Sequence, residues 1–358
     1  MVKTVNIAII GPGLVGSEFI NQLANIKSTA IKYNSILISS SKKALISQEY
    51  KPLNLSSWSE DFKNTETGAL SSSELLSFLT KSVSLHPTIL VDNSSSVELS
   101  DNYPKILEAG VSIATPNKKA FSGDISLWNA IFGASATKGS LVYHEATVGA
   151  GLPVISTIKD LIATGDEIEE IEGIFSGSLS YIFNELYSSG KKYSEIVTIA
   201  KSLGYTEPDP RDDLNGQDFA RKVLILSRLS GFEIKSLADL KVDSLIPADL
   251  EDAKSGSEFL VRLPNYDQDI ESLKEAAAKE GKVVKYTGKI DIKNKTASVG
   301  IQKYDKAHPF ANMSGSDNVI SIKTKRYTNP LIIQGAGAGA AVTAAGVLAD
   351  TIKIAERS

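Results

Sequence analysis

The chain has no cysteine in 358 residues. That excludes disulfides and thiolate-bound zinc. It also excludes a catalytic thiol, and with it the oxidation of an aldehyde to an acid or acyl phosphate through a thioester. Interconversion of an aldehyde and an alcohol needs only hydride and proton transfer and stays open. Histidine is almost as scarce: His86, His144 and His308 show no metal-ligand spacing and read as structural. No apolar run reaches the length of a membrane-spanning helix. A net charge of −4 gives no general attraction to nucleic acid or to an anionic membrane. The apolar run Val5–Ile10 begins almost at the start, so no presequence and a cytoplasmic location are expected.

What is present is a globular composition, 42% apolar and 22% charged. The chain is longer than one core normally holds, so two domains are expected. Val5–Ile10 reads as a strand, followed by Gly11-Pro12-Gly13-Leu14-Val15-Gly16 and a helical pattern through Phe19, Ile20 and Leu23. Strand, G-x-G-x-x-G and helix in that order is a dinucleotide fingerprint: the glycines admit a pyrophosphate, and the helix N-terminus supplies its amides. The next strand, Ser35–Ile38, lacks the acidic residue that would hold a ribose 2′-hydroxyl. Ser39, Ser40, Ser41, Lys42 and Lys43 stand there instead, which suits a 2′-phosphate as readily as it suits a polar loop. Lys51–Thr80 is Ser-rich and predicts a variable connection with one helix near Ser72–Leu79. Thr88–Val91 predicts a strand ending in Asp92-Asn93-Ser94, and Val111–Ala114 another ending in Thr115-Pro116-Asn117-Lys118-Lys119. Ligands sit beyond the carboxyl ends of such strands, so Asn93, Ser94 and Lys118 are candidate contacts.

Leu141–His144 leads into Glu145 and the run Val148-Gly149-Ala150-Gly151-Leu152. A carboxylate followed by free loop carbonyls can hold a hard cation; a glycine hinge between domains is the reading the residues alone favour, and the two are compatible. Ile168–Phe175 alternates loosely before Ser176-Gly177-Ser178, with Ser178 expected to cap a helix over Tyr181–Tyr187. Tyr187 and Lys191 have Tyr-x-x-x-Lys spacing, but Gly190 breaks the helix that would align them. A helix over Tyr193–Leu203, closed by Gly204, delivers the chain to Gly204–Lys222. That stretch carries Glu207, Asp209, Asp212, Asp213 and Asp218, stiffened by Pro208 and Pro210, and turns helical from about Leu214. Asp218 and Lys222 stand four apart and share one helix face. An ammonium beside a carboxylate under an acidic loop suits a small substrate carrying its own ammonium and a reactive oxygen; taken alone it also suits a surface ion pair. Glu251–Glu280 predicts polar helices, and Val283–Ile290 with Ala297–Tyr304 a hairpin. Asn318–Tyr327 and Leu331–Gln334 continue the strands, and Gly335–Gly339 opens a small-residue helix to Lys353.

The stretch GYTEPDPRDDLNG…DFARK resembles the substrate loop and catalytic helix of homoserine dehydrogenase, the fungal single-function form in particular. The likeness extends through ATPNKKAFS, YHEATVGAGLP and EGIFSGSLSYIFNE to IQGAGAGAAVTAAG, nearly the whole chain. It implies reversible NAD(P)-dependent reduction of L-aspartate 4-semialdehyde to L-homoserine, on the route to threonine and methionine. The expected fold is α/β: a Rossmann-type dinucleotide-binding domain over 1–145 plus 335–358, and an α+β catalytic domain of mixed sheet and helices over 146–334. The resemblance makes Lys222, Asp218 and Lys118 the catalytic group. It implies substrate contacts from Glu207, Asp213, Gly177 and Tyr205. Gly11, Gly13, Leu14, Val15, Gly16, Ser40, Lys42, Lys43, Asn93, Ser94, Lys118 and Gly339 are expected at NADP(H) or NAD(H). A monovalent cation, sodium or potassium, is implied near Glu145 and the carbonyls of Val148, Ala150 and Leu152, and a homodimer through sheet strands. Two other readings fit the residues: another two-domain oxidoreductase acting on an amino-acid-derived aldehyde or imine, or an NADP(H) sensor without turnover.

Overall fold

The computed structural model describes residues 2–27 and 30–358, which divide into two compact units, 1–151 with 339–358, and 152–338. Among these residues each unit contains one six-stranded sheet. The first sheet is built from β1 (Lys3–Ile10), β2 (Ile31–Ser39), β3 (Ala44–Ile46), β4 (Thr88–Asp92), β5 (Ser112–Ala114) and β6 (Val142–Tyr143). Its order is β3-β2-β1-β4-β5-β6, parallel except for β3, which folds back on β2. The central strands β1 and β4 are apolar runs buried on both faces, the pattern of a parallel sheet covered by helices. The chain leaves β1 for β2 on one side and reaches β4 on the other, so a topological switch point opens between the tips of β1 and β4.

The helix Leu14–Ala24 starts directly beyond β1, and the helix Ala340–Arg357 packs beside it, burying Ile20 and Leu23 with Ala344 and Val347. The boundaries expected at 145/146 and 334/335 move to 151/152 and 338/339. Packing explains the first shift: Ala146 joins the core formed with Ala344 and Val347. A Cβ on Gly151 would lie 2.5 Å from the Val342 carbonyl oxygen, so 146–151 are wedged against the C-terminal helix. The Ser-rich connection holds two helices, Trp58–Asn64 and Ser72–Val83, the second with a full capping box from Ser71 and Glu74.

The second sheet comprises β7 (Ile168–Ile174), β8 (Lys241–Val242), β9 (Lys282–Asp291), β10 (Thr296–Asp305), β11 (Asn318–Thr324) and β12 (Leu331–Gly335), in the order β12-β11-β7-β9-β10-β8. It is antiparallel apart from the β8–β10 pair. Gly173 on β7 and Gly288 on β9 are register partners. A Cβ on Gly288 would meet Val223 at 2.4 Å and Phe219 at 2.9 Å, and one on Gly173 would meet the Val319 carbonyl at 2.6 Å. Gly288 therefore lets the helix Gln217–Leu229 lie directly on the sheet, while Gly173 makes room for the Phe175 ring. That helix starts after Gly216, held left-handed at φ 72, and is preceded by a separate turn Arg211–Leu214. The continuous helix expected from Leu214 is thus broken at Gly216, where a side chain would run into the Tyr286 hydroxyl at 2.3 Å.

Candidate active site

In the first unit the glycine fingerprint lies at the switch point. Gly11 is left-handed at φ 83, and a Cβ there would lie 2.8 Å from the Asn93–Ser94 peptide. A Cβ on Gly16 would lie 2.0 Å from the Gly11 carbonyl, so helix and turn touch backbone to backbone. Gly13 faces open space, and Leu14 beside it is 86% exposed while Val15 is half-buried. A crevice of about 460 Å³ continues from Gly11 along Ser39, Ser40 and Ser41 to Ser71, Ser72 and Ser94. Beside Gly11 and Gly16, both polar atoms of the Asn93 carboxamide are buried without a hydrogen-bond partner among the described residues. An orphaned amide beside a glycine cradle at a helix N-terminus fits a dinucleotide.

At the β2 tip, the Ser40 hydroxyl accepts from the backbone amides of Lys42 and Lys43, each at 3.2 Å. Lys42 is exposed. The Lys43 ammonium instead turns onto the Phe62 ring at 5.0 Å and donates to the Lys63 carbonyl at 2.8 Å. The two lysines paired by sequence therefore diverge, because Phe62 on the helix Trp58–Asn64 captures one of them.

Sequence reading missed what holds the Lys118 turn. Asp92 is fully buried at the β4 tip and accepts from the Ser94 amide at 2.8 Å, the Ser94 hydroxyl at 2.6 Å, the Tyr103 hydroxyl and the Asn117 carboxamide. Thr115 donates to the Asp92 carbonyl at 2.7 Å and accepts from the Asn117 amide at 2.9 Å. Burial pushes the Asp92 carboxyl up, against the pull of these donors. The network fixes the tips of β4 and β5, and half-buried Lys118 opens the short helix Lys119–Ser122 just beyond. Thr and Asn after a strand were the available signal, since both favour local side-chain-to-backbone turns.

Glu145 is 5% exposed, and its backbone amide donates to the Asp350 carboxylate at 2.7 Å. Gly149 and Ala150 are both left-handed, at φ 76 and 53. Val148 and Ala150 are buried in the first unit, Leu152 opens the second, and Gly339 caps the C-terminal helix at φ 113. Among the described residues no group of three acidic, histidine or cysteine side chains could hold a metal. Any ion here would depend on carbonyls.

In the second unit Lys222 is 9% exposed. Its ammonium lies 2.8 Å from the Asp218 carboxylate and donates to the Phe175 carbonyl at 2.6 Å. Phe175 packs edge-on against Phe219 at 5.2 Å, over the paired glycines. The helix Gly177–Ser188 begins at the end of this strand, capped by Ser176, whose hydroxyl accepts from the Leu179 amide. The cap expected from Ser178 is thereby displaced: Ser178 lies inside the first turn and donates to Asp213 at 2.7 Å. The other Asp213 oxygen accepts from the Glu207 amide at 2.8 Å. Asp213 thus ties the acidic loop to the Gly177 turn, while the Glu207 side chain stays exposed. Tyr205 is 41% exposed and stacked on Tyr181 at 4.6 Å. Asp209 accepts a fork of bonds from Arg211, which reaches on to the Ala253 carbonyl at 2.6 Å. The loop is pinned by its own ion pair. Burial raises the Asp213 carboxyl, helped by Asp218 and Asp212, although Glu207 and Ser178 pull it down.

Comparison with known proteins agrees along the chain. Residues 153–352 match the family model for homoserine dehydrogenase, and residues 11–145 match that for the homoserine dehydrogenase NAD-binding domain. The chain is 56% identical to homoserine dehydrogenase of Saccharomyces cerevisiae over 359 aligned residues, 99% of each chain. It is 53% identical to that of Schizosaccharomyces pombe, over 98% of this chain and 95% of the other. A crystal structure of a Candida auris protein of unknown function superposes with a TM-score of 0.95 at 56% identity, over 99% of both chains. A mutant hyperthermophilic archaeal homoserine dehydrogenase in complex with NADPH gives a TM-score of 0.75 at 25% identity, over 99% of this chain and 98% of that one.

The raised Asp213 carboxyl carries a sign. A folded value above the unfolded one adds stability below the unfolded value, and that stability is lost as pH rises through the folded one. Asp213→Asn should therefore gain thermal stability relative to the native protein at pH 7 and lose that advantage in acid. The same variant should bind an amino-acid substrate more weakly. Calorimetry at two pH values and a KM measurement check both, and a stability difference independent of pH refutes the electrostatic account.

Proposed function

The chain belongs to the homoserine dehydrogenase family, and on that premise we propose how its own residues serve the reaction. The activity is the reversible NAD(P)-dependent reduction of L-aspartate 4-semialdehyde to L-homoserine. Nicotinamide, when bound, supplies or accepts the hydride. Reduction leaves negative charge on the former aldehyde oxygen. Lys222 stabilises that charge and donates a proton to the alkoxide oxygen, because a positioned ammonium in a nearly dry site favours the developing alkoxide over the neutral carbonyl. Asp218 and the Phe175 carbonyl set where the ammonium points. Asp213 and Glu207 hold the substrate's α-ammonium, with Gly177 and Tyr205 bordering it, and Lys118 is a second contact to the substrate. The observation that carries this reading is the buried Lys222 ammonium held between a carboxylate and a peptide carbonyl. A sensor without turnover has no use for a cation kept at that cost.

Lys222→Ala is expected to lower kcat by about two to four orders of magnitude, the span for losing a positioned acid–base group. Nucleotide affinity should stay close to native, since the phosphates would lie on Gly11–Gly16. Asp218→Ala should act in the same direction, and the double variant should fall short of the summed losses because the pair acts as a unit. Steady-state assay of these and of Lys118→Ala decides the donor: a larger loss for Lys118→Ala assigns it there. Near-native kcat with a raised KM in Lys222→Ala would leave Lys222 a binding residue only.

The same reading extends to the ribose and to a cation. With no acidic residue at the β2 tip, Ser40, Ser41 and Lys42 accept a 2′-phosphate, and the NADPH-bound archaeal relative is in keeping with that. Lys42→Glu should weaken NADP(H) far more than NAD(H), whereas Lys43→Glu should do little, because Lys43 is engaged with Phe62. Equal losses for both cofactors in Lys42→Glu would refute the assignment.

Glu145 is a buried carboxylate at a loop turned by two consecutive left-handed residues, and its backbone amide is held by the Asp350 carboxylate. That is a donor set for sodium or potassium, completed by the carbonyls of Val148, Ala150 and Leu152. Added sodium or potassium should raise the thermal midpoint of the native protein and leave Glu145→Ala unmoved; matching salt responses would remove the site. A homodimer through the second sheet and a cytoplasmic location complete the reading. In keeping with the latter, no described helix is long and apolar enough to cross a membrane.

A further inference from the structure

A second buried ammonium lies in the same unit and has no part in the chemistry above. Lys285 on β9 is 2% exposed. Among the described residues its ammonium donates to the Asn184 carboxamide oxygen and pairs with no carboxylate. The Tyr187 ring is its other neighbour, 5.9 Å away. Burying a cation without a counter-ion is costly, so what its one hydrogen-bond partner does bears on why it is there. Asn184 shows the use. Its Nδ2 donates to the Gly315 carbonyl at 2.9 Å and to the Ser180 hydroxyl at 3.3 Å. The next carbonyl, that of Ser316, would lie 3.2 Å from a Cβ on Gly177. Gly177 begins the helix that carries Asn184, and Ser178 beside it donates to Asp213. A short chain of contacts therefore runs from Lys285 through Asn184 and the 313–317 segment to the Gly177 turn.

We propose that Lys285 is a positioning residue of the substrate site, fixing Asn184 so that the 313–317 segment holds the Gly177 turn and Asp213 in register for the amino-acid substrate. This rests on the substrate role given above to Asp213 and Gly177. The neighbours of Lys285 leave its charge uncompensated. Gln302 lies opposite on β10, and along the same face Thr287 and Tyr304 lead to Glu172, which the Tyr304 hydroxyl holds. The His308 ring packs tilted against Tyr304, 4.8 Å between centroids. Lys274 approaches the same Tyr187 ring at 5.8 Å but is paired with Glu271, and Lys282 and Lys303 are paired with Glu280. Burial accordingly pulls the Lys285 ammonium down to about 8.

The signs of the two consequences differ. A folded value below the unfolded one means the unfolded chain binds the extra proton, so folding stability rises with pH above about 8. Loss of the same proton weakens the charge-assisted bond to Asn184 and loosens the Gly177 turn. Homoserine KM should therefore rise over the pH range in which the protein becomes more stable, which a purely structural lysine would not produce.

The test measures homoserine KM, kcat and thermal midpoint from pH 7 to 10 for the native enzyme, Lys285→Met and Asn184→Asp. The native KM should rise roughly three- to tenfold, the worth of a weakened charge-assisted bond. In Lys285→Met, KM should already be high at pH 7 and should lack the rise near pH 8, with the change in KM exceeding that in kcat. It should keep only the rise at higher pH that deprotonation of homoserine's own α-ammonium gives every variant. Asn184→Asp keeps the proton on the ammonium but loses the Nδ2 that donates to the Gly315 carbonyl, so KM should already be high at pH 7 and should lack the rise near pH 8. An unchanged pH profile in Lys285→Met overturns the proposal. Should Lys285→Met not fold, Asn184→Asp decides alone, and a native KM at pH 7 in that variant overturns the proposal equally. Asp213→Asn separates the premise: native homoserine KM in that variant would refute the substrate role of Asp213, whatever the Lys285 profile does.

Discussion

Taking an ammonium out of water costs several kcal/mol, and the second unit bears that cost at Lys222. The cost is offset only if the nitrogen finds close partners with good geometry. Asp218 supplies one from the preceding turn of the same helix, and Phe175 supplies the other from the end of β7. The Phe175 carbonyl can reach Lys222 only if the helix Gln217–Leu229 comes down onto the sheet, and it can come down only where no side chain stands beneath it. Gly288 on β9 clears that ground, and its register partner Gly173 on β7 leaves room for the Phe175 ring. Gly216 then lets the chain turn onto the helix beneath the Tyr286 hydroxyl. The geometry of one cation thus constrains two strands, a helix start and the aromatic packing of Phe175 against Phe219.

Catalysis by a fixed ammonium depends on its being in place before charge develops, since reorganisation during the reaction would consume the benefit. The same logic appears in the first unit with the opposite charge. Asp92 lies at the base of the switch point and is held by four donor groups rather than by a cation. It contacts both strand tips that would face the nucleotide, so rigidity there comes from a satisfied polar network rather than from apolar packing. Neither loop has to order itself when ligand arrives, which lowers the entropic cost of binding.

Features set by local spacing were legible in the sequence. The fingerprint Gly11–Gly16 with a strand before and a helix after predicted a dinucleotide fold, and the Asp218–Lys222 spacing predicted a shared helix face. Both rest on residues within one turn of each other. Features set by pairing across the chain were not legible. Nothing in Glu172-Gly173-Ile174 or Thr287-Gly288-Lys289 says that the two glycines become register partners, because that depends on which strands pair. Ser176 and Ser178 are equally good caps on sequence alone, and the choice falls on Ser176 because Ser178 is taken by Asp213, 35 residues on. Lys42 and Lys43 are chemically alike, and only the position of Phe62 separates them.

The two buried ammonium groups of the second unit show how one fold can use the same side chain in two ways. Lys222 has an anionic partner, so its charge is balanced locally and its role follows from where it points. Lys285 has a carboxamide, so its charge is unbalanced, and the cost is borne by the fold rather than by a counter-ion. A carboxylate at residue 184 would balance that charge, but it would lose the Nδ2 that donates to the Gly315 carbonyl. The amide accepts from the lysine and donates to the loop at once, which a carboxylate cannot do. The unbalanced charge is therefore the consequence of asking one side chain to bridge a cation and a carbonyl. A group in that position keeps a proton affinity set mainly by burial, which leaves it responsive to pH where a paired lysine is not.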